Sequence, residues 1–205
     1  MTSVILLGYS GHAFVVCDIF ASRATRIAGY CEAKEKAFNP YQLKYLGPEN
    51  TAVDLLKTHD YFIAIGSNSI RKKVYQFLER QSEKAPISAI HQLASVSSTA
   101  ELGAGTMVGN GSIINACCKI GVGVICNTQS VIEHESTIGA FSHIAPGAVL
   151  CGNVSIGESS FVGARAVIKP GITVGNQVTI GAGAVVIKDI PDHTTVVGNP
   201  QRQIP

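Results

Sequence analysis

The chain has 205 residues, a formal net charge of +2, 21 glycines, six cysteines and no tryptophan. There is no basic run for nucleic acid and no acidic tail, the glycines lack the collagen period, and no apolar run reaches the ~18 residues of a membrane helix. The length allows one or two domains with a real core.

Val4-Ile5-Leu6-Leu7 has no basic residues before it. It reads as a buried first strand rather than a signal peptide, which predicts a cytoplasmic protein. Gly8-Tyr9-Ser10-Gly11-His12-Ala13 is a turn opening a helix through about Ser22, and Ile27–Cys31 is a second strand. A helix covers Thr51–Thr58 and a third strand covers Tyr61–Ile65, ending at Gly66-Ser67-Asn68. Ser69 reads as the N-cap of a helix over Arg71–Arg80. Strands alternating with helices predict a small parallel α/β, Rossmann-like domain over residues 1–88. Ligands of such sheets sit at the carboxyl ends of strands, which here carry Ser10-Gly11-His12, Glu32 and Gly66-Ser67-Asn68. The first turn lacks GxGxxG, so a dinucleotide is not expected there, whereas a sugar nucleotide fits the same platform.

Residues 89–205 follow a period of six. Every sixth residue from Ile90 to Val186 is Ile, Leu or Val, with Cys126 the one exception. The position four further on holds small or β-branched residues, such as Ser112, Ser130, Ala148 and Ala166. Six residues make one short strand and a tight corner, and three such sides close a triangular coil of 18 residues. Each aliphatic points inward and stacks on its counterpart in the next coil, at about 4.8 Å. Small residues suit the corners, and Gly or Asn tolerates unusual backbone angles there. No step needs an insertion, so a prism of between five and six coils runs without interruption. With no export signal and no CxxC pair, the six cysteines read as buried thiols.

The prism carries two histidines off the inward positions, His134 in Glu133-His134-Glu135 and His143 in Ser142-His143-Ile144. Both are expected to face outward or to sit near corners. The 18-residue coil stacks Gly152 over His134 and puts His143 half a coil away, so both line one cleft only if two prisms pack side by side. A three-sided prism would do this as a cyclic trimer. A histidine, a carboxylate and a free backbone N–H suit acyl transfer: imidazole takes the proton of an attacking amine or hydroxyl, the carboxylate holds the ring, and the N–H stabilises the oxyanion. Glu135 reaches the ring only if a corner bends the chain, and Glu133 is the rival. No nucleophilic Ser or Cys is evident, which favours direct attack on a thioester.

Four segments together resemble a known family: Tyr9-Ser10-Gly11-His12, the run Phe62–Lys73 with its Gly66-Ser67-Asn68-Ser69, the run Asn127–Glu135, and Gly198-Asn199-Pro200. The chain resembles, over its whole length, the bacterial sugar acyltransferases that join a small Rossmann-like domain to a left-handed parallel β-helix. These include sialic acid O-acetyltransferases and nucleotide-amino-sugar N-acetyltransferases, and the resemblance is nearest to the UDP-4-amino-sugar enzymes of bacillosamine synthesis. The resemblance implies a homotrimer with intersubunit sites, using acetyl-CoA as co-substrate and no metal, and acting on a nucleotide-sugar in glycan precursor synthesis. It assigns His134 as general base and Glu135 as the residue raising its basicity. It assigns His143 and the Gly152 backbone to the thioester region, and Ala164 and Ala182 to the CoA arm. It assigns Ser10, Gly11, His12, Gly66 and Ser69 to the sugar nucleotide, and Glu32, Asn68 and Asn127 are expected to bind the same substrate. The sequence departs from the family pattern at Glu32-Ala33, where an acidic pair is usual, at Ser67, where Asn is usual, and at Gln201, where Ala is usual.

The resemblance implies an N-acetyltransferase acting on a nucleotide-linked amino sugar, with a UDP-4-amino-4,6-dideoxy sugar as the expected acceptor. A sugar O-acetyltransferase needs the same base and is the alternative. A zinc hydratase would need a third converging histidine, and His91 and His193 lie at opposite ends of the repeat. A non-catalytic scaffold is the remaining reading.

Overall fold

The structure is a computed structural model and describes residues 3–48, 52–82 and 84–204. Strands β1 (Val4–Leu7), β2 (Ile27–Cys31) and β3 (Asp60–Ile63) form a parallel sheet in the order β2-β1-β3. Its centre, Ile5, Leu6 and Leu7, is fully buried, as a continuous apolar run in a strand covered on both faces requires. Helix α1 (Gly11–Ser22) follows β1, a single turn α2 (Val53–Leu56) precedes β3, and α3 (Asn68–Glu79) follows it. The helix expected over 51–58 is therefore one turn long, and its first residue, Thr51, lies outside the described residues.

The expected N-cap at Ser69 is corrected to Ser67, because the helix starts earlier. Asn68 is pinned from its side chain, which donates to the carbonyls of Ser159 and Ser160 at 3.2 and 3.1 Å, and Arg71 N donates to Ser67 O. Tertiary anchoring thus decides the start where hydroxyl capping does not.

From β4 (Ala89–Ile90) to β20 (Val185–Val186) the chain places a two-residue strand every six residues. Each pairs in parallel with the strand 18 residues on, as Ile125 with His143 and Val131 with Val149. The result is a three-faced parallel β-helix. Inward aliphatics such as Ile132, Ile144, Leu150 and Ile168 form one core cluster. Every sixth residue from 105 to 183 has positive φ. Glycine adopts that corner without cost, but Cys117, Gln129, Glu135, Phe141, Asn153, Ser159, Arg165 and Gln177 occupy it too. The inward serines bond the chain beside them: Ser112 Oγ meets Ser130 Oγ at 2.8 Å and Ser142 Oγ donates to Gly157 O at 2.7 Å, so no buried hydroxyl of this pair of contacts lacks a partner.

The period breaks once. Thr179 pairs with Thr195, 16 residues on, in β21 (Thr195–Val197), and β22 (Arg202–Ile204) folds back antiparallel beyond a cis Asn199–Pro200 bond.

The three outward surfaces differ. One carries Glu101, Lys119, Thr137, Ser155 and Thr173 and is polar. A second carries Ile113, Val131, Val149, Val167 and Val185. The third is where the α/β domain docks: Ala89, Met107 and Ile125 are buried in one cluster with Tyr9, Phe20 and Phe62. All six cysteines are free, but the expectation that they are buried fails at Cys117, which is exposed at a positive-φ corner with no described part of the α/β domain over it to cover the thiol as Tyr75 covers Phe141, and Cys151 is half-buried.

Candidate active site

His134 and Glu135 illustrate what a corner does. Consecutive side chains diverge in a straight strand, but Glu135 has φ 61°. The turn brings Glu135 Oε2 to 3.0 Å from His134 Nδ1, with both side chains more than half exposed. A carboxylate only accepts, so Nδ1 carries the proton and Nε2 is left with its lone pair. Glu135, and not Glu133, is the carboxylate hydrogen-bonded to this ring.

Gly152 lies one coil on. A Cβ there would stand 2.6 Å from Cε1 and 2.7 Å from Nε2 of His134. The neighbouring amides of Cys151 and Asn153 donate to Ile168 O and His134 O, and the Gly152 N–H between them has no hydrogen-bond partner among the described residues. Base lone pair and free donor therefore share one spot on the perimeter. Ala164 and Ala182 lie on another corner, one coil apart, with Gly183 N donating to Ala164 O.

The other half of the expected site gathers elsewhere. The expectation that His143 faces outward holds for the strand but not for its exposure: the α/β domain covers it. Its ring lies 6.3 Å from that of His12 and edge-on to Phe161 at 5.2 Å. Asn127 Oδ1 accepts from Thr128 N at 2.8 Å, which turns its amide nitrogen to His143 Nε2 at 3.0 Å. Nε2 must accept, so the proton sits on Nδ1, and the Gly66 backbone hydrogen-bonds the ring. Burial, then the Arg71 guanidinium and His12, lower the His143 pKa to about 3. Burial and Arg71 lower that of His12 to about 4. Both rings are neutral at physiological pH. His12 Nε2 is the one buried side-chain polar atom without a hydrogen-bond partner among the described residues, and a buried atom of this kind calls for an explanation.

A groove of about 640 Å³ opens beside this pair, between the start of α3 (Gly66 to Ser69, Lys72, Lys73, Gln76) and the prism (Ser159, Phe161, Gln177, Thr179). Ser69 lines it, with its Oγ 3.3 Å from that of Ser67. Ser10 and Gly11 are exposed at the start of α1, where nothing stands within 4 Å of a Cβ on Gly11. Glu32 is occupied within the chain: one oxygen accepts Tyr9 N at 3.1 Å, the other accepts Ala33 N at 3.3 Å, and Lys36 Nζ lies 3.5 Å away. Sequence reasoning gave no role to Arg71, which is buried at the centre of this arrangement. Its only sequence signal is a charge following Gly-Ser-Asn at a strand end. No three His, Cys, Asp or Glu side chains converge as a metal site among the described residues.

A hexapeptide prism with a histidine–carboxylate pair at a corner and an α/β domain on one face defines the class of hexapeptide-repeat acyltransferases. Residues 3–78 match the PglD N-terminal domain family, and residues 153–188 match the hexapeptide repeat of succinyl-transferase. A histidine variant of perosamine N-acetyltransferase from Caulobacter crescentus, solved with CoA and GDP-perosamine, is 32% identical; the match covers 100% of this chain and 98% of that one, with TM-score 0.94. The acetyltransferase domain of PglB from Neisseria gonorrhoeae, solved with acetyl coenzyme A, is 32% identical over 99% of both chains, with TM-score 0.93. UDP-N-acetylbacillosamine N-acetyltransferase of Bacillus subtilis is 36% identical over 112 residues, which is 53% of this chain and about half, 51%, of that protein. The chain belongs to the hexapeptide-repeat sugar N-acetyltransferase family that contains these proteins.

Proposed function

We propose that this protein transfers the acetyl group of acetyl-CoA to the amine of a nucleotide-linked amino sugar, with a UDP-4-amino-4,6-dideoxy sugar as the expected acceptor. The observation that carries the mechanism is the 3.0 Å bond between His134 Nδ1 and Glu135 Oε2, which leaves Nε2 free as a base. The amine nitrogen attacks the thioester carbonyl while His134 Nε2 takes its proton. The Gly152 N–H donates to the carbonyl oxygen as it gains charge. The C–S bond then breaks, a C–N bond remains, and the proton passes from His134 to the leaving thiolate. The groove beside α3 and the orphaned His12 Nε2 support sugar-nucleotide binding on the α/β domain. The complexes of the Caulobacter and Neisseria relatives with CoA, GDP-perosamine and acetyl coenzyme A support the same pair of substrates here.

In one chain the His134 corner and the His12–His143 groove lie on different parts of the perimeter. We infer a cyclic trimer in which the corner of one subunit meets the groove of the next. The outward column Ile113, Val131, Val149, Val167 and Val185 supports it, since a five-residue aliphatic stripe on a prism face asks for a partner surface. A thiol-release assay with acetyl-CoA and a panel of nucleotide-linked amino sugars tests the activity; no turnover with any of them refutes it. A solution mass of one chain refutes the trimer.

A further inference from the structure

Arg71 is 1% exposed and is the one fully buried charged side chain among the described residues. Its donors reach across the domain boundary. Nε donates to Gly123 O at 2.7 Å and Nη2 to Phe141 O at 2.7 Å, both on the prism. Nη1 donates to Ile65 O and Gly66 O at 3.0 and 2.9 Å, on the loop entering α3, and Nη2 also to Asn68 Oδ1 at 2.8 Å, on the first residue of that helix. Every acceptor is neutral. A buried cation without a carboxylate is an expensive way to gain stability alone, so its charge calls for another reason.

We propose that Arg71 is a positioning residue of acetyl transfer: it fastens the Gly66–Asn68 loop to the Gly123 and Phe141 corners of the prism and so fixes His12, Gly66 and His143 in one arrangement. This rests on the reading of the site given above. Gly66 O is the shared point, since it receives Arg71 Nη1 and lies against the His143 ring. The charged or titratable groups facing His143 are Arg71 from α3 and His12 from α1; Asn127 and Phe161, which complete its surroundings, carry no charge. A protonated His143 would turn an Nε2–H donor against the Asn127 amide, itself a donor. The guanidinium charge disfavours that state, so one residue sets both the place of the loop and the neutral state of the ring.

The full-length protein with Arg71→Gln and with Arg71→Lys tests this, by steady-state kinetics at low temperature and by ¹⁵N imidazole NMR against pH without substrates. For Arg71→Gln we expect kcat to fall about 100-fold, the scale on which misplaced groups act. Its His143 should also protonate at a pH about one unit or more above wild type. For Arg71→Lys, which keeps the charge but loses the planar fork, we expect about a tenfold loss in kcat with the wild-type histidine titration. A merely structural role would lower Tm and leave kcat and the titration of the folded protein unchanged, and that result overturns the proposal. If Arg71→Gln does not fold, Arg71→Lys decides: wild-type kcat overturns it and reduced kcat with unshifted histidines supports it. If the wild-type protein transfers no acetyl group, the proposed function fails separately and the NMR titration decides on Arg71: an unshifted His143 in a folded variant overturns it.

Discussion

The imidazole of His134 occupies the space that a side chain on Gly152 would fill, with the Cβ position only 2.6 Å from Cε1. Neither residue's role is visible without the other, because the absent side chain is what allows the ring to lie against the free N–H. Gly152→Ala should therefore displace the ring while leaving the coil intact, since no positive φ is required at this position. We expect kcat to fall about 100-fold with Tm nearly unchanged, measured by steady-state kinetics and thermal denaturation. Wild-type turnover would show that the stacking has no bearing on catalysis.

The corner at Glu135 separates two neighbouring acids. Glu135→Gln keeps shape and backbone but removes the carboxylate that accepts from His134 Nδ1, and should lower kcat by about tenfold or more. Glu133→Gln should stay near wild type, and His134→Ala should lose at least about 100-fold with normal folding. Equal effects of the two glutamate substitutions would refute the assignment of Glu135 as the orienting group.

The period of six made the prism legible from Ile90 to Val186, because every inward position obeys one steric rule. The same rule stacks Gly152 on His134 and left the meeting of Glu135 with His134 conditional on a corner, which the positive φ supplies. The covering of His143 was not legible, because it depends on how a second domain docks, and no periodicity records that. Arg71 escaped for the same reason: its acceptors on the prism are backbone carbonyls 52 and 70 residues away, and carbonyls leave no mark in a sequence. The start of α3 was misplaced because Asn68 is held by the prism rather than by a local cap.

The buried histidines give folding a specific pH dependence. In the folded state His12 and His143 titrate at about 4 and about 3, against about 6.5 when unfolded. Between those values the unfolded chain binds more protons, so stability falls as pH falls. The loss begins below about pH 6.5, at about 1.4 kcal/mol per unit for each histidine. The contribution ends as the pH passes about 4 for His12 and about 3 for His143. Urea midpoints measured at pH 7.5 and 5 should show the slope, and it should flatten in His12→Gln and in His143→Gln. A slope that both substitutions leave unchanged would place its origin elsewhere.

In the proposed trimer the aliphatic stripe would link assembly to chemistry. Val149 and Val167 lie side by side near its middle, each directed outward from a strand whose second residue is buried. Replacing Val167 by Glu leaves the inward neighbour Ile168 and the corner glycines untouched, so the prism itself should fold. A charge facing its own copies across a desolvated interface is strongly unfavourable. Val167→Glu should therefore give a folded single chain by light scattering and circular dichroism, with acetyl transfer reduced by about 100-fold or more, because the His134 corner would no longer meet a neighbour's groove. Full activity in a folded monomer would show that one chain holds the whole site.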